Sequence, residues 1–378
     1  MKKRVKSYVI LLEYLLLVVF LLGTTIVTIG RLISSGTLIF DDNIETYITD
    51  VYPKKNAFIN LNGEIRKCMG QHEMNGVTKL NNGYLQVNSP YISDDELKGY
   101  ADNVVLLNNY LQSKGIPLVY VNPPITNSKY DNLLPAGSED YANDNVDRLL
   151  SFLQVSGVET IDIREQMYID HIDHYQMMYK TDHHWNAEAG FYAYTIIDDY
   201  IQDKTNSYVD ERIADISNYD LVSSEQCFLG ANGRRTGIYY AGVDDFSVLI
   251  PKFEMEFQDA DGNIGTFQDI LVDTSYMNII DYENNSMYEN VYDNVWNDCV
   301  NINPVNNTKI LIISDSFSLN VMPYLIMEYG QVQFWRNANS SQLTKEYIDY
   351  YNPDVVIMLY YPKRSMEELD AYNFDSFR

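Results

Sequence analysis

The chain has 378 residues, 46% of them hydrophobic, enough for one large domain or two smaller ones and too apolar for wholesale disorder. Its 53 acidic residues against 27 basic ones leave a formal net charge of −26. That field excludes a general nucleic-acid binder, which needs clustered Lys and Arg, and disfavours polyanionic substrates except at a local basic patch. The 33 tyrosines read first as packing, although a surface share of them would suit stacking on carbohydrate.

Lys2, Lys3, Arg4 and Lys6 form a basic tail over 1–7. The apolar run that follows, 8–30, is interrupted by Glu13 and is long enough to cross a bilayer core. Only Arg31 follows it closely, so the charge bias leaves the N-terminus in the cytoplasm and the rest of the chain outside. A cleaved signal peptide would need a shorter core and a small-x-small site, so the run reads as a transmembrane signal anchor. Cys68, Cys227 and Cys299 are an odd set, which outside the cytoplasm implies a free thiol or an intermolecular bond.

Residues 31–92 are mixed and polar and read as a juxtamembrane segment packed on the main domain. An α/β rhythm begins at 93. Ser93 and Glu96 form a capping box before the helical pattern of Leu97, Tyr100, Val104, Leu107 and Leu111, which Gly115 and Pro117 stop. Leu118 to Val121 is a short strand. A helix follows with Val146, Leu149, Leu150 and Leu153 on its apolar face, then a strand from Val158 to Ile163. Asn186 can cap a helix facing inward through Phe191, Tyr194, Ile197 and Ile201. The rhythm lapses over 205–304, read as a β-rich insertion. It returns over 305–378 with strand Lys309–Ile313, a helix from Ser316 to Tyr329, strand Val332–Trp335, a helix from Gln342 to Tyr350 and strand Val355–Tyr360. Strands alternating with helices over 93–204 and 305–378 predict an α/β domain with a mostly parallel sheet.

Two segments carry chemistry. Thr181-Asp182-His183-His184-Trp185-Asn186 puts a carboxylate and an imidazole two residues apart. Ser314-Asp315-Ser316-Phe317 puts a serine at the mouth of a buried strand, where unpaired N–H groups of a following helix can hold an oxyanion. Together they supply Asp182, His184 and Ser316 as orienting carboxylate, base and nucleophile. Capping of the helix by Asp315 or Ser316 accounts for the same residue types. His171, His174, His183 and His184 with Asp182 also have the composition of a zinc site. The second segment favours the triad, and neither metal nor cofactor is expected. Trp185 could wall the site. In the glycine-rich stretch 230–237, Arg234 and Arg235 form either a basic spot that meets substrate or a turn with solvated charges, and no Walker loop is present.

The Asp182-His183-His184-Trp185 string resembles the signature of the DHHW family. These proteins are similar to the AlgX/AlgJ type of alginate O-acetylation proteins, with an SGNH-hydrolase-like domain. Ser314-Asp315-Ser316 resembles the SGNH motif G-D-S, with Ser314 in place of glycine. Asn75-Gly76-Val77 and Phe228-Leu229-Gly230 also look like family segments. The resemblance implies a flavodoxin-like three-layer fold with Ser316 as nucleophile and Asp182 and His184 as its partners. It implies O-acetyl transfer to an exported or cell-surface polysaccharide, beside a membrane acyltransferase of the MBOAT class that delivers the acyl group. A carbohydrate acetylesterase with the same triad, or a non-catalytic polysaccharide-binding or assembly subunit, are the alternatives.

Overall fold

The computed structural model describes Leu15 and residues 18–20, 22–31, 54–283, 286–362, 366 and 370–378. Five strands form the central sheet: β1 (Leu118–Asn122), β2 (Glu159–Asp162), β3 (Asn306–Ser314), β4 (Tyr329–Arg336) and β5 (Val355–Leu359). All neighbours are parallel, in the order β4-β3-β5-β1-β2. β1 and β5 are buried along their whole length, which explains why they read as unbroken apolar runs. β3 and β5 end side by side, Ser314 opposite Leu359, so whatever follows them lies at the carboxyl edge of the sheet.

The helices follow the expected apolar periods. In α1 (Asp94–Ser113) the Ser93 hydroxyl caps Glu96 N–H at 3.3 Å, and Leu97, Val104, Leu107 and Leu111 are buried. α2 (Ala142–Val155) buries Val146, Leu149, Leu150 and Leu153. α3 (Ala187–Thr205) starts at Asn186, whose side chain accepts from Ala189 N–H at 3.0 Å. The segment after Ser316 departs from the reading as one helix. A 3₁₀ turn, Ser316–Ser318, is followed by α4 (Met322–Glu328), and β4 already begins at Tyr329. Pro323, in the first turn of α4, explains the break: without an N–H it suits a helix start and not a helix interior. α5 (Lys345–Tyr351) completes the set.

The insertion is less β-rich than expected. It holds an antiparallel hairpin, Tyr219–Phe228 with Asp244–Pro251, and three very short strands at Phe257–Gln258, Ile264–Gly265 and Val300–Asn301. Between them lie short helices at Glu211–Ala214, Ala231–Thr236, Ile238–Ala241, Phe267–Ile270 and Met287–Tyr292. Side chains of Asp210, Thr266 and Asp273 accept from backbone N–H groups at helix starts, so the Asp-rich composition nucleates turns as well as loops. Phe246, Val248, Val291 and Val295 join the same hydrophobic core as the sheet, so the insertion is not an independent unit.

The boundary at 93 also falls late. Leu80 and Tyr84 belong to the main core. Before them a helix, Lys55–Cys68, leads into a three-stranded antiparallel sheet of Glu73–Met74, Val77–Lys79 and Leu85–Gln86. Its first turn is Asn75-Gly76, both at positive φ (51° and 71°), the backbone that an Asn-Gly hairpin supplies. Residues 22–31 are helical. Among the described residues no helix is long and apolar enough to cross a membrane, and most of 8–21 lies outside them. The basic tail 1–7 lies wholly outside.

Candidate active site

Asp182, His184 and Ser316 meet at the carboxyl edge of β3. The loop that carries the first two is pinned at its base. Met178 bridges Trp185, Tyr179 N–H donates to His184 O at 3.3 Å, and Asn186 N–H donates to Met177 O at 3.0 Å. Asp244, from the hairpin, holds the loop from outside by accepting from Thr181 N–H at 2.8 Å and Thr181 Oγ1 at 2.7 Å. Burial pushes the Asp244 carboxyl above its usual range.

His184 Nδ1 lies 2.6 Å from Asp182 Oδ1, and its Nε2 lies 2.7 Å from Ser316 Oγ. An ionised carboxylate only accepts, so Nδ1 carries the proton and Nε2 receives the hydroxyl hydrogen. The same Oδ1 accepts from His183 N–H at 2.8 Å and His184 N–H at 3.0 Å, while Oδ2 accepts from Ala231 N–H at 2.6 Å. The expected pairing of Asp182 with His184 is therefore present. The carboxylate folds back onto the N–H groups that follow it and forms a turn. Burial of Asp182 opposes ionisation, but His183, His184 and the Ala231 N–H outweigh it and hold the carboxyl well below the usual carboxylate range.

The serine turn is built with equal economy. Asp315 is the cap: its Oδ1 accepts from Phe317 N–H at 3.0 Å, and its Oδ2 from Tyr361 N–H at 2.8 Å. Ser316 is thus relieved of capping and stays partly exposed. Intra-turn bonds begin only with Ser318 N–H to Asp315 O at 3.2 Å, so the Ser316 N–H stands ahead of them, as an oxyanion donor requires. Ser314 is fully buried, and its hydroxyl donates to Leu359 O on β5, which accommodates the departure from glycine.

Trp185 does not wall the opening. It is 0% exposed, and its Nε1 donates to Phe317 O at 3.1 Å, so it braces the serine turn from behind. Next to two histidines an indole reads equally as wall or core, and the loop turns it inward. The aromatic neighbour of His184 is Tyr288, from the insertion, whose ring stacks on the imidazole at 4.0 Å between centroids and 17° between planes. Nothing in the sequence distinguished it among 33 tyrosines. Phe317 and Tyr361 stack on each other beside the site at 4.5 Å, and the partly exposed His183 lies 5.6 Å from Tyr361.

The glycine-rich stretch is a short helix, not a solvated turn. Gly230 caps it and approaches Asp182 so closely that a Cβ there would lie 2.4 Å from Oδ2. Arg235 is exposed, and its guanidinium donates to Asn75 O at 3.0 Å, which makes it a latch on the Asn-Gly turn. Arg234 donates to Leu229 O at 3.1 Å and lines a cleft of about 190 Å³ with Asn60, Ile238 and Tyr282. The five-residue zinc set is not assembled. His174 is half-buried with Nε2 donating to Ile125 O at 2.9 Å, and His171 is exposed on a turn at φ 57°. Asp182, His183 and His184 do bring three ligand atoms within 4.8 Å of one another, but both ring nitrogens of His184 are already engaged within the triad.

Residues 84–215 match the family model described as the SGNH hydrolase-like domain of the acetyltransferase AlgX. That span contains Asp182 and His184 and ends before Ser316. Comparison with curated protein sequences returns no match. Among solved structures, PatB1 of Bacillus cereus with a sulfonyl adduct is 18% identical, with a TM-score of 0.61 over 80% of this chain and 99% of that one. A DHHW family protein from Eubacterium siraeum is 15% identical, with a TM-score of 0.53 over 80% of this chain and 96% of that one. At such identities the likeness is one of fold. Together they show an SGNH-like α/β fold with a parallel sheet, in which residues 84–215 resemble the SGNH hydrolase-like domain of AlgX and the whole is similar in fold to a DHHW family protein.

Proposed function

We propose that the chain is a membrane-anchored, extracytoplasmic O-acetyltransferase that acts on an exported or cell-surface polysaccharide through an acyl-Ser316 intermediate. The observation that carries this reading is the continuous line Asp182–His184–Ser316, with links of 2.6 and 2.7 Å. The match to an AlgX-type domain and the apolar run 8–30 support it.

His184 Nε2 takes the hydroxyl proton as Ser316 Oγ attacks the acyl carbonyl carbon. The Ser316 N–H stabilises the oxyanion. Asp182 stays ionised and steadies the imidazolium. The tetrahedral intermediate collapses, the bond to the donor's leaving group breaks, and His184 returns the proton to that group. A sugar hydroxyl then loses its proton to His184 and attacks the acyl-serine. Collapse of this second intermediate breaks the Ser316 Oγ–acyl bond, yields the sugar ester and restores Ser316 Oγ–H. We assign the donor system to a membrane acyltransferase of the MBOAT class. The acceptor is a neutral or weakly charged glycan, because a −26 chain repels polyanions. Arg234 remains a candidate for acceptor contact.

Turnover of a small acetyl ester tests the reading. Ser316→Ala should remove it by a factor on the order of 10⁶ with the fold intact, since triad members act as a unit. A folded variant with near-normal turnover would refute it. Adding oligosaccharide acceptors to the same assay separates a transferase, which forms sugar esters, from an esterase, which releases acetate alone.

A further inference from the structure

The helix Lys55–Cys68 shows an apolar, charge-free stripe to the outside. Leu61 is 58% exposed, Ile65 50% and Met69 66%, at a spacing of four that puts all three on one line. The opposite face is fixed. Gly63 lies so close to Thr236 that a Cβ would sit 2.5 Å from its carbonyl oxygen, and Asn60 Oδ1 accepts from Ile238 N–H at 2.9 Å. The stripe is therefore not a loosely docked helix turned the wrong way: its polar and small side is already used. Aligned exposed apolar residues of this size mark a binding surface.

The surroundings point to lipid. Phe58, one turn before Leu61, meets the ring of Phe20 at 5.8 Å, which ties the helix to the apolar run 8–30. Lys54 and Lys55 stand at its start and Arg66 and Lys67 in its last turn, against Glu64 as its acidic residue, in a chain with a net charge of −26. An apolar stripe with a basic fringe is the pattern of a helix lying in the headgroup region.

We propose that Lys55–Cys68 lies in the membrane interface with Leu61, Ile65 and Met69 in the headgroup–acyl boundary. The proposal rests on the anchor reading of 8–30. Its consequence is positional. The helix abuts Thr236 and Ile238, and the Ala231–Thr236 helix in turn donates to Asp182, so the triad is held at a fixed height above the bilayer.

Cys68 offers a native probe: it is exposed and three residues beyond Ile65, whereas Cys227 and Cys299 are buried. The full chain, labelled at Cys68 with an environment-sensitive dye, is reconstituted in phosphatidylcholine–phosphatidylglycerol vesicles with or without brominated acyl chains. Bromolipid should quench the dye by about twofold or more, as expected for a probe in the headgroup–acyl boundary. In Leu61→Asp/Ile65→Asp the quenching should vanish while the chain still floats with the vesicles and keeps its ester turnover. Wild type that floats but is quenched only by aqueous iodide overturns the proposal and leaves the anchor intact. A dye shielded from both quenchers also overturns it, in favour of a protein partner or second copy. A chain that an alkaline wash strips from vesicles overturns the anchor reading, and the proposal with it.

Discussion

Gly230→Ala tests the site at a residue that does no chemistry. Gly230 has φ −67° and ψ 178°, a backbone open to alanine, so the substitution carries no conformational penalty. Its whole effect is contact. The new methyl would lie 2.3 Å from Asp182 Cβ, 2.4 Å from Oδ2 and 2.7 Å from Cα. Carbon atoms rest at about 3.5–4.0 Å, so Asp182 must retreat by roughly 1 Å. Its links to His184 Nδ1 and Ala231 N–H are both 2.6 Å and cannot survive that shift unaltered. Overpacking of this kind costs about 1–3 kcal/mol of stability. A 1 Å misplacement costs about 10² in rate, and loss of the carboxylate's orienting role about 10⁴. Acetyl-ester turnover should therefore fall by a factor in the range of about 10²–10⁴, alongside a modest fall in the thermal midpoint. A folded Gly230→Ala with turnover within about threefold of wild type would refute the claim that Gly230 sets the position of Asp182, since a shift of even 1 Å should cost more.

The stacked ring of Tyr288 should favour the imidazolium formed in each half-reaction. Tyr288→Leu is expected to lower kcat/KM by about tenfold and Tyr288→Phe to leave it near wild type, because the π face carries the effect. Equal losses in both would place the role in the hydroxyl. Glu328 is fully buried, and burial, with Asp198 and Asp210 nearby, pushes its carboxyl up to about 8. A carboxyl raised in the folded state contributes stability that is complete below its unfolded value of 4.5 and drains away as pH rises towards 8. The unfolding free energy from urea titrations should fall over that window by an amount on the order of a few kcal/mol, and Glu328→Gln should flatten the slope. Metal analysis of the purified protein should find no stoichiometric ion. Zinc that disappears in His183→Ala would instead make Asp182, His183 and His184 a metal site.

Much of the body was legible because its elements repeat a single period. The apolar faces of α1, α2 and α3 recur every three or four residues, and β5 and residues 310–313 of β3 are unbroken apolar runs, so each declares itself locally. Asp182, His184 and Ser316 were legible because their chemistry is scarce and because Ser316 closely follows the end of β3. What could not be read depends on approach through space. Tyr288 reaches His184 from 104 residues away, and Ala231 reaches Asp182 because Gly230 has no side chain. The short helices of the insertion are nucleated by single Asp and Thr caps, a signal too brief to have a period. Trp185 and Arg235 were ambiguous for a related reason: residue type alone does not say whether an indole or a guanidinium faces substrate or braces the backbone beside it.

The central claim is that Ser316 becomes acylated. Incubation of the full chain with an activated acetyl ester, rapid acid quench and peptide mass spectrometry measures this directly. The account predicts an acetyl group on the peptide bearing Ser316, absent from Ser316→Ala and formed far more slowly in His184→Ala, with a sulfonyl fluoride blocking the same hydroxyl. Acetyl transfer or hydrolysis that proceeds unchanged in Ser316→Ala, or a label found only on another residue, would contradict it.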